Sequence, residues 1–249
     1  AQRIPLRQVP AFLLSYQRTY LERDARRLAD VSDWDLFVRF FRLCAGMTGQ
    51  EINFSEFGRD IGVNPQTAKR WLSVLKGTFQ WDELPPFHNN AVKRVSERPK
   101  GVFSDSGLAC YLQGIGTPDA LSGHPSWGSI FETAVVNDVR KQLLTLPEPH
   151  AARLHHYRSH GGAEVDLVIE LEDRLYPIEI KGKTQPLRRD TSGITAFREK
   201  FGKKVARGAV VSLCTQGQFV SEHDVAIPWD ASEGIFDELT GPQRRSRLR

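Results

Sequence analysis

Three residues in the second half of the chain have the types and spacing to do chemistry together: Asp166, Glu179 and Lys181. They lie in the stretch 164–181, where two apolar-alternating runs meet at Glu172-Asp173-Arg174, the pattern of an antiparallel hairpin. In the first run Val165, Leu167, Ile169 and Leu171 share a face, with Glu164, Asp166 and Glu170 opposite. In the second, Tyr176, Ile178 and Ile180 oppose Glu179 and Lys181. A two-residue Glu172-Asp173 turn sets Asp166 across from Glu179 and Glu164 across from Lys181. Facing residues of such a pair are about 5 Å apart at Cβ, close enough for two carboxylates to share a cation. A slip of one residue would send them to opposite faces. Converging carboxylates repel, and hard oxygen ligands favour Mg²⁺ or Mn²⁺. A lysine beside such an ion can hold or help deprotonate a water and stabilise charge on a phosphate. The plainer alternative is the solvated face of a half-exposed hairpin, since Glu-x-Lys recurs by chance.

The ordered set Asp166, then Glu179-Ile180-Lys181, resembles the Asp…Glu-x-Lys core of the PD-(D/E)xK nuclease superfamily. Gly161-Gly162 suits the turn residues that often precede the first Asp of that core. The resemblance implies that Asp166 and Glu179 hold Mg²⁺ or Mn²⁺ with the Ile180 carbonyl, and that Lys181 orients the attacking water. It also implies an acidic residue from the preceding helix, for which Glu132 is the candidate, acting through water or on a second ion. Gln185, just past the strand, is a further candidate phosphate contact.

The elements that must position these residues follow from the patterning. A long helix carries Glu132, with Phe131, Val135, Val139 and Leu143 as its buried stripe, and Pro147-Glu148-Pro149 ends it. Leu154 to Arg158 reads as a strand before the hairpin, 186–201 as a helix with Leu187, Ile194, Phe197 and Phe201 inward, Ala209 to Cys214 as a buried strand, and Val225 to Trp229 as a short last one. Gly193 weakens the middle of that helix. His155, His156 and His160 lack the spacing of a zinc site and read as strand-edge residues. Gly182-Lys183-Thr184 resembles the end of a phosphate-binding loop, but Pro177 stands where the motif needs glycine.

Residues 52–76 carry the second informative pattern, a helix-turn-helix. Phe54, Phe57 and Ile61 anchor the first helix, Gly62 makes the turn, and Val63 plugs the corner. Asn64 caps the second helix with Pro65 at its first position. Ala68, Leu72 and Leu75 pack inward, which leaves Gln66, Thr67, Lys69, Arg70 and Ser73 for DNA. The strand-like Thr78-Phe79-Gln80-Trp81 suggests a winged variant, a fold that also serves protein docking. Upstream, Phe12, Leu13, Tyr16, Tyr20 and Leu21 recur at helical spacing. A helix over 34–45 buries Leu36, Phe37, Phe40, Phe41 and Cys44, and its aromatics are core rather than a platform for bases.

Composition sets the outer limits. With 249 residues, 40% hydrophobic and 26% charged, the chain is an ordinary globular protein of one large or two modest domains. No apolar run spans a membrane. Three dispersed cysteines, Cys44, Cys110 and Cys214, suit a reducing cytoplasm and exclude a Cys-x-x-Cys zinc site. Residues 1–100 hold 16 Lys+Arg against 11 Asp+Glu, a net of +5, whereas the remainder holds 18 against 19. A basic first part and a basic tail suit a polyanionic partner, or a plain solvated surface.

The series Tyr20 to Asp24, Val63 to Leu75, Leu84-Pro85-Pro86-Phe87, Arg98-Pro99-Lys100, Ser104 to Ala109, Gly161 to Asp166 and Ile178 to Lys181 is similar to the C-terminal half of a family of prokaryotic AAA-type ATPases. Ser104-Asp105-Ser106 departs from that pattern. The resemblance implies a missing N-terminal ATPase domain as partner, since no Gly-x-x-x-x-Gly-Lys-Ser/Thr, and so no ATP site, occurs here. The expected fold is α+β, with a helical, winged helix-turn-helix region over 1–100 and a PD-(D/E)xK restriction-endonuclease-like core over 101–240, leaving 241–249 as a basic tail. That core runs helix, three mainly antiparallel strands, helix, strand. The expected function is a cytoplasmic, Mg²⁺-dependent DNA phosphodiesterase module. The rival is a non-catalytic nucleic-acid- or protein-binding module that regulates the ATPase.

Overall fold

The computed structural model describes residues 5–21, 23, 25, 33–88, 98–148, 152–159 and 161–241. His160, most of the run 22–28, Lys93 to Glu97 and the basic residues from 242 onward lie outside the described residues. The protein is mixed α and β. It divides into two compact units, Ala1–Leu84 with Glu97–Ala134, and Pro85–Ser96 with Val135–Arg249.

The first unit is mostly helical: α1 (Val9–Tyr16), α2 (Trp34–Gly46), α3 (Phe54–Ile61) and α4 (Pro65–Gly77), then a two-stranded ribbon of β1 (Trp81–Leu84) and β2 (Lys100–Phe103), then α5 (Ser106–Leu112) and α6 (Pro118–Ser122). Short polar side chains start these helices by accepting otherwise orphaned backbone N–H groups. Asp33 accepts from Leu36 at 2.9 Å, Asn64 from Thr67 at 2.8 Å and Asp105 from Leu108 at 2.8 Å. The core is aromatic. Trp71 of α4 meets Phe37 edge-on at 5.7 Å and Phe40 at 5.5 Å, and Phe40 meets Phe57 at 6.2 Å. The α2 aromatics are therefore core, as their spacing implies. On α1, however, Leu13 is buried while Phe12 is exposed.

The turn between α3 and α4 is tight because two glycines shape it. Gly62 ends α3 in the left-handed conformation, φ 84°, and the N–H groups of Gly62 and Val63 both donate to the Gly58 carbonyl at 2.8 Å. A Cβ on Gly58 would stand 2.6 Å from the Val63 carbonyl oxygen, so the chain folds back over a missing side chain. The expected strand at Thr78-Phe79-Gln80 is instead a turn, because Phe79 takes φ 58°, which a strand cannot accommodate. The strand begins only at Trp81 and pairs Trp81 with Phe103 and Leu84 with Lys100.

Helix α7 (Trp127–Leu143) contains the division between the units, at Ala134 and Val135. Its Phe131, Val135, Val139 and Leu143 are buried as the stripe requires. The second unit is built on a six-stranded mixed sheet of β3 (Ala152–Arg158), β4 (Glu164–Leu171), β5 (Arg174–Lys181), β6 (Gly208–Ser212), β7 (Gln218–Phe219) and β8 (Asp224–Pro228). The spatial order is β3-β4-β5-β6-β8-β7. The first three strands are antiparallel, whereas β5, β6 and β8 run parallel. Helix α8 (Ser192–Phe201) forms the crossover from β5 to β6, and α9 (Ile235–Thr240) follows β8. The α8 helix is shorter than the expected 186–201. Asp190 takes the Leu187 N–H at 2.7 Å and pairs with Lys183 at 2.6 Å, which holds 182–187 as a loop before a 3-10 turn, Arg188–Thr191, and leaves Leu187 exposed. At the outer edge of β3, Pro85 to Phe87 lies alongside: His156 N–H donates to Pro85, and Phe87 N–H to His156 at 2.7 Å. Among the described residues no helix is long and apolar enough to cross a membrane.

The Gly58 contact yields a prediction. A Gly→Ala change inside a free helix stabilises by about 0.5–1 kcal/mol. Here Gly58→Ala is expected to destabilise by about 1–3 kcal/mol, because the methyl meets backbone that cannot retreat. Urea denaturation of the two proteins, read by far-ultraviolet circular dichroism, measures the sign.

Candidate functional site

Strands β4 and β5 keep the register that the two-residue turn sets, with Leu171 facing Arg174 and Leu167 facing Ile178. Glu172 closes the turn at φ 52°. Continuing that register places Asp166 opposite Glu179. The ladder itself ends at Leu167, where Asp166 takes over: its Oδ2 accepts the Ile180 N–H at 2.8 Å. Ile180 thus contributes an N–H to the site, and its carbonyl as a metal ligand stays a proposal.

The cause of that swing is on the other side of β4. Between the pairs His155–Val168 and Tyr157–Val165, β3 advances two residues while β4 advances three. The extra residue is a β-bulge beside Asp166, which bends the strand and re-aims its side chains. It also resets the faces. Val165 joins Val168, Leu175 and Phe197 in one apolar cluster rather than continuing the face of Leu167 and Ile169. Strict alternation along 164–171 is therefore corrected. The sheet is buried on both sides, since Val168, Leu167, Ile169 and Ile178 are all fully enclosed.

Lys181 ties the three predicted residues together. Its Nζ lies 3.2 Å from Asp166 Oδ2 and 2.8 Å from Glu179 Oε2. Glu179 is only 5% exposed. Burial, and then the neighbouring Asp166, push its carboxyl up to about 8 against the pull of Lys181. For Lys181 burial acts downward, but Asp166 and Glu179 outweigh it and hold the ammonium above its usual value.

One residue of this site carries no side chain. Gly193, in the first turn of α8, faces β4 and β5, and a Cβ there would overlap the Glu164 carbonyl oxygen and Glu179 Oε1. The glycine that weakens a helix by propensity is what lets α8 close over the Glu179 carboxylate. Sequence reading registers it only as a helix breaker, and the signal that could have found it is its place just after the Glu-x-Lys strand.

Glu132 lies in the first unit, ion-paired to Lys100 at 2.7 Å, both side chains mostly buried. Gln66, Lys69, Arg70 and Ser73 are exposed on α4, and Thr67 is half-buried beside them. Gln185 is exposed. His155 is buried and meets Glu170 at 3.0 Å. Among the described residues no group of three or more His, Cys, Asp or Glu side chains gathers as a cation site. The site in the second unit thus offers two carboxylates.

Comparison with known proteins finds two domains of unknown function and stops short of activity. Residues 3–119 match one domain of unknown function, DUF8612. Residues 127–231 match a second, DUF4143, a region associated with AAA-type ATPases. Over 228 residues the chain is 33% identical to the uncharacterized protein Rv2008c of Mycobacterium tuberculosis and to the uncharacterized protein Mb2031c of Mycobacterium bovis. Each alignment covers 90% of this chain and 49% of the relative, so the chain spans about half the length of the curated relatives it matches. No solved structure matches it.

Glu179 makes stability depend on pH in a defined direction. With its native value near 8 and the unfolded one near the usual 4.5, the folded protein holds a proton that the unfolded chain has released. Stability is therefore fully present below about 4.5 and falls as pH rises towards 8. Lys181, shifted up from 10.5, has no effect in that window. Urea midpoints are expected to drop between pH 5 and pH 8.5 in the wild type, and to drop less in Glu179→Gln, which stays neutral throughout.

Proposed function

We propose that this chain is the nucleic-acid-acting part of a larger ATPase, a metal-dependent phosphodiesterase centred on Asp166, Glu179 and Lys181. The observation that carries this reading is the convergence of one ammonium on two carboxylates from adjacent strands, at 3.2 and 2.8 Å. Their order along a helix–three-strand–helix–strand run, α7 through β6, supports a PD-(D/E)xK-like core.

The donor set fits a hard divalent ion. Mg²⁺ keeps several waters and is commonly held by one or two carboxylates, which is what Asp166 and Glu179 supply. A carboxyl raised to about 8 by burial, and then by an adjacent Asp, is short of positive charge, and a cation between the two would lower it again. When bound, Mg²⁺ or Mn²⁺ would polarise the phosphoryl oxygen and lower the pKa of a coordinated water. The chain's own residues do the rest. Ile180 N–H fixes Asp166, and Gly193 leaves the room that the Glu179 carboxylate occupies against α8. Lys181, held as an ammonium, is a hydrogen-bond donor rather than a base, suited to orienting the water and to meeting charge on the phosphate.

In the first unit, α3, the Gly62–Asn64 turn, α4 and the β1–β2 ribbon suit a winged helix-turn-helix, with Gln66, Thr67, Lys69, Arg70 and Ser73 towards DNA. The length of the relatives beyond the alignment leaves room for an AAA-type ATPase domain as the partner in the full protein. A non-catalytic reading, in which both units bind and regulate without cleaving, is favoured by one observation: Lys181 already satisfies both carboxylates, and no third acid joins them among the described residues.

Supercoiled plasmid and labelled single strands, incubated with Mg²⁺ or Mn²⁺, separate the two. The expected result is nicking that Lys181→Ala slows by at least about 100-fold, the scale for removing one positioned charge-stabilising donor. Asp166→Ala should abolish nicking while preserving DNA affinity. No cleavage together with no Mg²⁺ binding by calorimetry would replace the nuclease with the binding module. Metal binding without cleavage would assign the missing ATPase domain as a required partner.

A further inference from the structure

The outward stripe of α4 is one-signed. Gln66, Lys69, Arg70, Ser73 and Lys76 recur at helical spacing and are exposed, and the helix contains no acidic residue. Lys69 and Arg70 make no ion pair among the described residues, and Lys76 reaches Glu83 at 2.8 Å. At the end of that stripe, three residues past Lys76, stands Phe79. It is 80% exposed, the most exposed large apolar side chain among the described residues. It also takes φ 58°, a conformation that bulky residues avoid.

The local structure keeps it there. Thr78 is buried, and its Oγ1 donates to the carbonyls of Val74 at 2.9 Å and Leu75 at 3.2 Å. Gln80 is buried too, with Nε2 donating to Tyr16 Oη and to the Thr78 carbonyl, each at 3.0 Å. The Phe79 and Gln80 N–H groups are tied to Lys76 and Leu75, and the Gln80 carbonyl accepts from Ser104. Both neighbours are anchored inward, so the ring between them is held out in solvent in a strained backbone. Such an outlier, held by the structure around it, is a reason to look for a role. The other strongly exposed aromatic of this unit, Phe12, stacks on Tyr16, whereas Phe79 has no ring partner among the described residues.

We infer that Phe79 is a base-stacking residue, taking an unpaired base of a nucleic-acid strand whose phosphates run along Lys69, Arg70 and Lys76. An aromatic face at the end of a cationic track is the arrangement that binds single strands, the charges following the backbone and the ring taking a base. The setting favours this over a protein partner: the ring follows a helix whose exposed stripe is cationic and polar, with Lys76 three residues before it, rather than the run of exposed apolar residues that a protein interface buries. The inference rests on the proposed nucleic-acid role of the first unit and adds the strand type and the residue that reads it.

The test is equilibrium binding, in EDTA, of a fluorescein-labelled 20-nucleotide single strand and of its duplex over a range of salt. Phe79→Ala is expected to weaken single-strand binding about 10- to 100-fold without changing the salt slope, with a smaller effect on the duplex. Phe79→Trp should restore it. Lys69→Ala should instead lower the slope by about one. A 2-aminopurine strand should be quenched by the wild type and much less by Phe79→Ala. Phe79→Gly, which relieves the backbone, should unfold at a urea concentration no lower than the wild type while binding as weakly as the alanine variant. Unchanged single-strand affinity in Phe79→Ala, with Lys69→Ala still impaired, would overturn the inference and leave nucleic-acid binding standing. A wild type that binds neither probe at low salt would sink both. Unchanged affinity with a sedimentation shift to a smaller species would assign the ring to a protein interface instead.

Discussion

The Lys181 ammonium, held between the Asp166 and Glu179 carboxylates, is the interaction on which the second unit's organisation turns. Two acids brought this close in a sheet buried on both faces would repel and resist ionisation. The cation makes the arrangement tolerable without cancelling its cost, because Glu179 remains hard to ionise. Three features of the backbone serve that contact. The bulge in β4 turns Asp166 out of the ladder, the Ile180 N–H catches it, and Gly193 admits α8 close enough to enclose Glu179. A fold selected for stability alone would fill this place with apolar side chains, since a buried ion pair replaced by packed apolar residues is often as stable or more so. The polar cluster is in that sense a sign of use.

The first unit shows a different economy. Trp71, Leu72 and Leu75 commit one side of α4 to an aromatic core shared with Phe37, Phe40 and Phe57. That commitment leaves the other side free to be chosen for its charge. The tight Gly58–Val63 turn fixes the angle at which the second helix leaves the first, so the cationic stripe is presented by a rigid pair of helices rather than by a loop.

Much of this was legible in the residues because the relevant physics is local. A two-residue turn and period-two alternation suffice to give the β4–β5 register, and Asn64-Pro65 suffices to start α4. What was not legible depends on a partner distant in sequence. The bulge beside Asp166 exists only against β3, so alternation alone assigned Val165 to the wrong face. Gly193 looks like a defect until the strand facing it is known, and the Lys100–Glu132 pair joins residues that no periodicity connects. Thr78 to Trp81 had strand-like composition, but the buried hydrogen bonds of Thr78 and Gln80 made Thr78 to Gln80 a turn and left the strand to begin at Trp81. Leu187 had the spacing of a core residue and was overruled by the Lys183–Asp190 pair that shapes its loop.

The chain's route between the two units has its own consequence. It enters the second unit at Pro85, returns to the first by Glu97, and leaves again between Ala134 and Val135 within one helix. The strand completing the β1 ribbon comes from the return segment, and the segment flanking the β3 edge comes from the outward one. A piece ending at Leu84 would lack β2, and a piece starting at Val135 would leave the β3 edge bare, open to pairing with another chain. The two matched segments are consecutive in sequence, but the first supplies the strip along β3 and the second begins before the division in α7, so a cut between them does not separate the two units cleanly. A fragment that keeps the first unit whole must therefore carry chain from both sides of Leu84, and one that keeps the second whole must start no later than Pro85.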